Sequence, residues 1–387
     1  MNGAMKTVGL CLEALDVLFF RDGRPFMDGT EQMLSGLPLP QTLAGAICTA
    51  LMQAAGCDFG RLRHALEASR SLEASRSLEA SRSFAEAVHE ACSAEAHWIG
   101  ALAVRGPWLA RWDKNPATPC EVLVPAPATL HRAKGKTGGQ QLFALAPLQE
   151  KLPGWHPVKE QRRPLWLKEP VVTEPVEGYL TPAGLTHFLE GKPVPATEIV
   201  PAGDLFGLDY RIGIGISPER LVSEESQIYG RGFLALKEGV FLYAEVCLPD
   251  NAPEGALGKL TTLAFGGESR HVLCHRLEKP FAWPGKVPST EGQKPLVLLT
   301  TPCVFEHGWK PKALTGRLTA AAVSGSVAFS GWDLARGGPK PTRFAVPAGS
   351  VYFLDDLPDD APFLLAETED DRRQGWGCYV RGVWNHV

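Results

Sequence analysis

The cations of this chain gather in loops. His131-Arg132-x-Lys134-x-Lys136, Lys159 with Arg162-Arg163, Lys310 and Lys312 beside Trp309, and Arg336-Gly-Gly-Pro-Lys340 running on to Arg343 each set positive side chains among glycines or prolines. Glycine lets a backbone approach phosphate closely while neighbouring cations neutralise it, so these stretches suit non-covalent contact with a polyanion. A further place combines different donors. A helix opening at Gln41-Thr42 leaves its first N–H groups without intrahelical partners, and its dipole adds partial positive charge there. Pro38 and Pro40 fix the approach, Gly45 clears a side chain one turn in, and Arg21 and Arg24 lie in the preceding loop. Donors, charge and backbone access can thus converge on one phosphate. The plainer alternatives are that Thr42 caps the helix, that Arg24 pairs with Asp22 or Asp28, and that the basic loops are solvated surface.

Patterns for covalent or metal chemistry fail on spacing. Gly135-Lys136-Thr137 would end a phosphate loop only with glycine at 130, which is Leu130; His89-Glu90 would open a zinc-protease helix only with histidine at 93, which is Ser93. Gly375-Trp376-Gly377 lacks a glycine at 380, no G-x-S-x-G elbow occurs, and the ten histidines single out no base. His271-x-x-Cys274-His275 is the best metal spacing, but no second ligand pair accompanies it, and it reads as packing. The acidic stretch from Asp355 to Asp371 reads as a solvated loop or a contact for a basic partner rather than a magnesium site. No cofactor is expected.

With 387 residues, 44% of them hydrophobic, the chain has apolar matter for two domains of ordinary size. Its 39 Lys+Arg against 43 Asp+Glu exclude a chain-wide basic field, so any polyanion is held locally. No apolar run suits a membrane span and Met1–Gly9 lacks a signal-peptide stretch, giving the expectation of a cytoplasmic protein without membrane contact. Nine cysteines, an odd number without CxxC, fit reduced core thiols.

These residues must be positioned by short elements, because 40 glycines and 32 prolines cut the chain into pieces. Thr7–Leu15 alternates as a half-buried strand. Leu43, Ala46, Ile47, Ala50, Leu51 and Ala54 recur at helical spacing, with Gly56 to close the helix. Leu-Glu-Ala-Ser-Arg-Ser occurs three times over 66–83; its leucines point in different directions around a helix, so it reads as a peripheral solvated extension. Thr181-Pro182 starts and Gly191 ends another helix. The second half reads as strand 211–216, a hairpin of 231–237 with 240–248, helix 253–264 and strand 271–277. Strands 295–305, 318–329, 343–354 and 377–384 follow. Strand, paired strands, helix, strand is most of a ferredoxin-like unit. The expected fold is α+β, with two ferredoxin-like (RRM-like) domains and long loop insertions. Residues 1–175 form the first with a helical insertion around 60–90, 176–200 link, and 201–387 form the second.

Arg21-Asp22-Gly-Arg24-Pro25-Phe26 followed by Leu-Pro-Leu-Pro-Gln-Thr-Leu-Ala-Gly-Ala-Ile (37–47) resembles the N-terminal signature of the Cas5-like, crRNA-capping subunit of the type III-B (Cmr) CRISPR effector complex. Arg211-Ile-Gly-Ile-Gly-Ile, Ala264-Phe-Gly-Gly-Glu-Ser-Arg270, Ser330-Gly-Trp-Asp333, Pro347-Ala-Gly-Ser-Val-Tyr-Phe353 and Gln374–Trp384 extend the likeness along nearly the whole chain. The tail resembles the glycine-rich loop of the RAMP superfamily. The resemblance implies a subunit without catalysis that anchors the 5′ tag of the guide RNA (crRNA) in antiviral defence and docks to the large polymerase-like subunit and the backbone subunit. RNA contacts are then expected at Arg21, Arg24, Gln41, Thr42, Arg132, Lys134, Lys136, Arg270, Lys310, Lys312, Arg336, Lys340, Gly375, Gly377 and Arg381, with Arg372 and Arg373 as further phosphate partners of the tail loop. Paired surface aromatics for stacking bases on a sheet are absent from the sequence pattern, which favours loop contacts to the RNA backbone.

The rival expectation is an enzyme: a metal-independent endoribonuclease processing CRISPR repeat RNA, as the resemblance to other RAMP proteins implies. It needs an acid and a base brought together, such as His131 and His187.

Overall fold

The computed structural model describes residues 6–20, 33–73, 84–135, 141–150, 152–155, 163–216, 223–287, 289–333, 338–359, 361 and 363–385. The fold is mixed α/β, mostly strands with few helices. In chain order the elements that matter begin with β1 (Lys6–Ala14), β2 (Met33–Leu34), α1 (Pro40–Ala54), α2 (Phe59–Glu73), α3 (Phe84–Ala91), β3 (Ala103–Arg111) and β4 (Glu121–Pro125). Then come β5 (Tyr179–Leu180), α4 (Pro182–Leu189), β6 (Ile199–Val200), β7 (Phe206–Ile216), β8 (Ser223–Leu236), β9 (Val240–Leu248), β10 (Thr262–Ala264) and β11 (His271–Arg276). The last group is β12 (Gln293–Leu299), β13 (Leu318–Ala322), β14 (Val351–Leu354), α5 (Glu369–Gln374) and β15 (Tyr379–Asn385).

Local rules account for the helices. Leu43, Ile47 and Leu51 share one buried face of α1, and Gly56 follows it at φ +69°. Thr181 caps α4 by accepting from the Gly184 amide at 3.1 Å, with Pro182 inside the first turn. Gly191 beyond it has φ +68°.

β9 is buried along its whole length, so it must lie inside a sheet with both faces covered. Its pleat sends Val240, Leu242, Ala244 and Val246 to the core shared with α1, α2 and α3, and Phe241 and Tyr243 to an aromatic cluster with Trp108 and Trp112. The first sheet runs β6-β5-β4-β3-β9-β1-β11-β10. Within it β3-β9-β1-β11 pair antiparallel. The second sheet, β13-β14-β12-β15, repeats that arrangement with its own four strands, again antiparallel.

Several expectations are corrected. Residues 231–248 do not form a hairpin: the turn at Gly239 exists, but β8 pairs with β7 and β2, while β9 leaves for the first sheet. The 253–264 stretch is turns followed by β10, because Gly255 at φ +74° and the tight approach of Gly258 to it interrupt a helix. Strands 318–329 and 343–354 are each split, into β13 with Val327–Phe329 and into Arg343–Ala345 with β14. The 176–200 stretch, expected to link, carries β5, α4 and β6, and Leu185, Phe188 and Leu189 pack on Leu296, Leu298 and Trp384. Strand pairing also crosses it, since β9 and β11 join β1 and β3 in one sheet. Cys57 and Cys92 form a disulfide, whereas the other seven cysteines are free. Of the 66–83 repeat, residues up to 73 continue α2, where Leu66 packs partly on the core; 74–83 lie outside the described residues. Among the described residues no helix is long and apolar enough to cross a membrane.

Candidate nucleic-acid interface

α1 begins with Pro40 after an extended Leu39; no side chain caps it and no acidic residue stands in its first turn. Thr42 is therefore not the cap, and its amide turns back to the Leu39 carbonyl at 2.9 Å. Gln41 instead reaches across the fold, donating from Nε2 to the Ser330 carbonyl at 2.9 Å. Ser330 Oγ donates to the Lys340 carbonyl at 2.6 Å and the Lys340 amide to the Gly331 carbonyl at 2.7 Å. Trp332–Asp333 pairs with Gly338–Pro339 to complete this small ribbon. The structure thus brings Lys340, expected in a separate loop, to the helix start at Gln41-Thr42. Around an imagined Cβ at Gly45 nothing lies within 4 Å, so the helix is open to close approach.

The segment preceding α1 is clamped at both ends. The Phe20 amide donates to Ser35 Oγ at 2.9 Å and the Gly36 amide to the Phe20 carbonyl at 3.3 Å. Gly267 donates to the Phe19 carbonyl at 2.8 Å, and Gly266, at φ +88°, admits no side chain because a Cβ would lie 2.5 Å from that same oxygen. The glycines of 264–270 therefore pack on Phe19 and Phe20. Arg270 bonds Asp16 at 2.7 Å and lies over the Phe233 ring, and Arg211 reaches the same carboxylate at 3.4 Å. The Val17 amide, together with Arg211 and Arg270, holds the Asp16 carboxyl below the ordinary aspartate range despite some burial. Arg21, Arg24, Lys136 and Arg336 lie outside the described residues.

The remaining expected contacts scatter. Arg132 pairs with Glu174 at 2.8 Å on the strand beside it, and the Lys134 amide bonds the Val172 carbonyl at 2.8 Å. Lys312 pairs with Glu306, and its amide donates to Glu367 at 2.8 Å; the amide of Lys310 turns back to His307. Gly375 and Gly377 make their close approaches to the chain itself. A Cβ at Gly375 would sit 2.5 Å from the Val104 carbonyl, and one at Gly377 2.7 Å from the Ala366 amide, both at positive φ. The Gly375-Trp376-Gly377 turn is thus a packing element around the fully buried Trp376. Arg381 donates to the carbonyls of Pro358 and Ala361. Arg372 donates to the Ala366 carbonyl, and Arg373 stacks 4.0 Å from the Phe84 ring centre, docking α5 on the helical layer.

Among the described residues, carboxylates of the acidic stretch pair within the chain. Asp355 pairs with Lys294, Asp356 with Arg317, Asp359 with Lys286, and the buried Asp371 takes both nitrogens of Arg343 at 2.9 and 2.6 Å. At the metal spacing, His275 bonds Glu13 at 2.7 Å, His271 faces the Ser269 carbonyl, and burial pushes the Cys274 thiol up to about 12. His131 bonds the Thr173 hydroxyl at 3.1 Å, and burial holds its pKa below the ordinary value; His187 belongs to α4. Ser35 carried no expectation, and Ser330 entered only as the first residue of the Ser330-Gly-Trp-Asp333 match, with no role given to it; Ser35's position two residues before Leu37-Pro38 was the available signal.

The family model described as CRISPR-associated protein (Cas_Cmr3) matches residues 10–384. Among solved structures, a chain of the type III-B Cmr-beta complex bound to cognate target RNA is similar at 16% identity and TM-score 0.46, with 90% of this chain and 86% of that chain covered. A chain of the Csm3-Csm4 subcomplex of the type III-A CRISPR-Cas interference complex is similar at 10% identity and TM-score 0.40, covering 91% and 95%. A chain of the Csm1-Csm4 cassette in complex with cA4 follows at 12% identity and TM-score 0.34, covering 89% and 86%. No curated protein matches.

Proposed function

Because the chain belongs to the CRISPR-associated Cas_Cmr3 family, we propose that it is an RNA-binding subunit of a type III-B effector complex, without catalysis of its own, that anchors the 5′ tag of the guide RNA. On this reading it docks to the large polymerase-like subunit and to the backbone subunit in the cytoplasm. Two ferredoxin-like units build it. One is made of β1, β3, β9 and β11 with α1 crossing between the first two strands, and the other of β12, β13, β14 and β15. The repeated antiparallel order of the two strand sets supports this division, with the 176–200 stretch as part of the packed body.

The observation that carries the reading is the Gln41–Ser330 bond. It sets the Lys340 ribbon against an uncapped helix start with an open Gly45, which together offer N–H donors, charge and room for a phosphate backbone. The net charge of −4 agrees with tight binding only when neighbouring subunits complete the channel.

Crosslinking from the guide's 5′ end inside the assembled complex tests the proposal. Adducts within 33–45 and 338–343 support it; adducts confined to other subunits overturn it. A denaturing gel of labelled repeat RNA with the pure chain tests the absence of catalysis: cleavage abolished by one point substitution overturns that part.

A further inference from the structure

The two sheets leave a cleft of about 450 Å³ between them. Arg105 and Trp108 of β3 and Glu245 of β9 line one side, and Thr300 with Tyr379 and Arg381 of β15 line the other. The β9 pleat puts Glu245 on the face of Phe241 and Tyr243, and only 2% of the residue is exposed. Its Oε1 accepts from Trp283 Nε1 at 2.7 Å and from the Tyr243 hydroxyl at 3.2 Å. Oε2 stands 3.7 Å from Arg105 Nη1, beyond hydrogen-bond length. A carboxylate oxygen accepts about two bonds, so Oε2 keeps acceptor capacity at the cleft floor.

Part of the wall is aromatic. Trp108 and Trp283 lie with ring centres 4.7 Å apart. The Arg105 guanidinium stacks 4.1 Å from the centre of Phe363, a ring left 68% exposed although it lines the cleft. The rim is cationic. Arg381 is held there by the Pro358 and Ala361 carbonyls, and Lys286 pairs with Asp359, an exposed pair that exchanges readily for another anion.

Aromatic rings, one deep acceptor and cations at the rim are the complement of a nucleotide. We infer that this cleft takes a single nucleotide whose base carries an exocyclic amino group, the amine donating to Glu245 Oε2, the base lying against Trp283 and Phe363, and the phosphate meeting Arg381 and Lys286. Uracil, which offers O4 where adenine and cytosine offer an amine, is disfavoured because that oxygen would face the carboxylate. The nucleotide is either one residue of an RNA strand or a free mononucleotide. The first source rests on the proposed function; the second does not.

Calorimetric titration of the full chain with AMP, CMP and UMP, and with the trinucleotides ApApA and UpUpU, tests the inference. The expected result is about tenfold tighter binding of amino-bearing bases than of uracil, the size of one charge-assisted hydrogen bond. In Glu245→Gln the amide oxygen stays with Trp283 and Tyr243 and the NH₂ group takes the place of Oε2, so the preference turns toward uracil. Lys286→Ala and Phe363→Ala, both on the exposed rim, weaken every ligand and keep the preference, and they serve even if Glu245→Gln fails to fold. Trinucleotides binding more tightly than monophosphates assign the site to a strand, and the reverse assigns it to a free nucleotide. Equal binding of all bases, or no loss in Phe363→Ala, overturns the inference. If the guide's 5′ end still crosslinks to 33–45 and 338–343, the proposed function stands without it.

Discussion

Phe20 and Ser35 are bonded across the intervening segment, the Phe20 amide donating to Ser35 Oγ at 2.9 Å in a buried setting. The bond closes the base from which the chain departs toward Arg21 and to which it returns before α1. Ser35→Ala leaves that amide without its acceptor, and the expected loss is about 1–3 kcal/mol of stability. Hydrogen exchange at the Phe20 amide measures it: unchanged protection in the variant contradicts the role given to Ser35.

Lys340→Ala and Gln41→Ala separate charge from geometry at the interface. In the assembled complex, Lys340→Ala should weaken guide-tag binding evenly across base identities and lower the slope of log affinity against log salt by about one. Gln41→Ala releases the Ser330 ribbon and should weaken binding with the slope unchanged. Identical salt slopes in both variants would place Lys340 away from phosphate.

Gly375→Ala and Gly377→Ala should each destabilise the chain by about 3 kcal/mol, through positive φ and overlap with neighbouring backbone or sulfur. Thermal unfolding of the pure chain, with no RNA present, reads this. Variants that melt like the parent but fail to protect the 5′ tag would place the tail glycines at the RNA surface.

Arg343→Ala strips the partner from Asp371, whose side chain is 4% exposed. Loss of one member of a fully buried pair costs about 3–5 kcal/mol; Arg343 is 40% exposed, so solvent screening brings the expected cost to about 2 kcal/mol. Double substitution with Asp371→Asn should recover part of it. Denaturant unfolding of the single and double variants decides, and equal losses in both would show that charge is not the cause.

Glu245 sets a pH dependence whose sign follows from its burial. Burial pushes its pKa above the ordinary glutamate value, against the pull of Trp283, Arg105 and Tyr243. Between the ordinary glutamate range and that raised value the folded state holds a proton that the unfolded state has released, and above it the group is the carboxylate; its contribution therefore falls as pH rises through this window. Glu245→Gln should flatten the stability profile over that window, and be no less stable than the parent at neutral pH. A parent profile that rises there with the same slope in both proteins would refute the assignment.

What could be read from the residues alone was local or serial. The alternation of Val8, Leu10 and Leu12, the helical spacing closed by Gly56, and the Thr181-Pro182 start are each decided within a few residues, where capping, φ freedom and periodicity act. The ordered series of short matches from Arg21 to Trp384 identified the family for a related reason: order along a chain survives without coordinates. Strand pairing was decided elsewhere. Residues 231–248 look like a hairpin because a turn joins two apolar runs, yet β9 is apolar on both faces and is covered only between β1 and β3, so β8 pairs with β7 instead. The contacts of the basic and acidic loops were out of the sequence's reach for the same reason. Whether Arg343 meets an RNA phosphate or Asp371, and whether Gly375 makes room for a strand or for Val104, depends on which distant backbone folds against them. The buried Glu245 carboxylate at the cleft floor had no sequence signal, because one acid in an apolar strand acquires its meaning from the Trp283 and Tyr243 donors that only tertiary packing delivers.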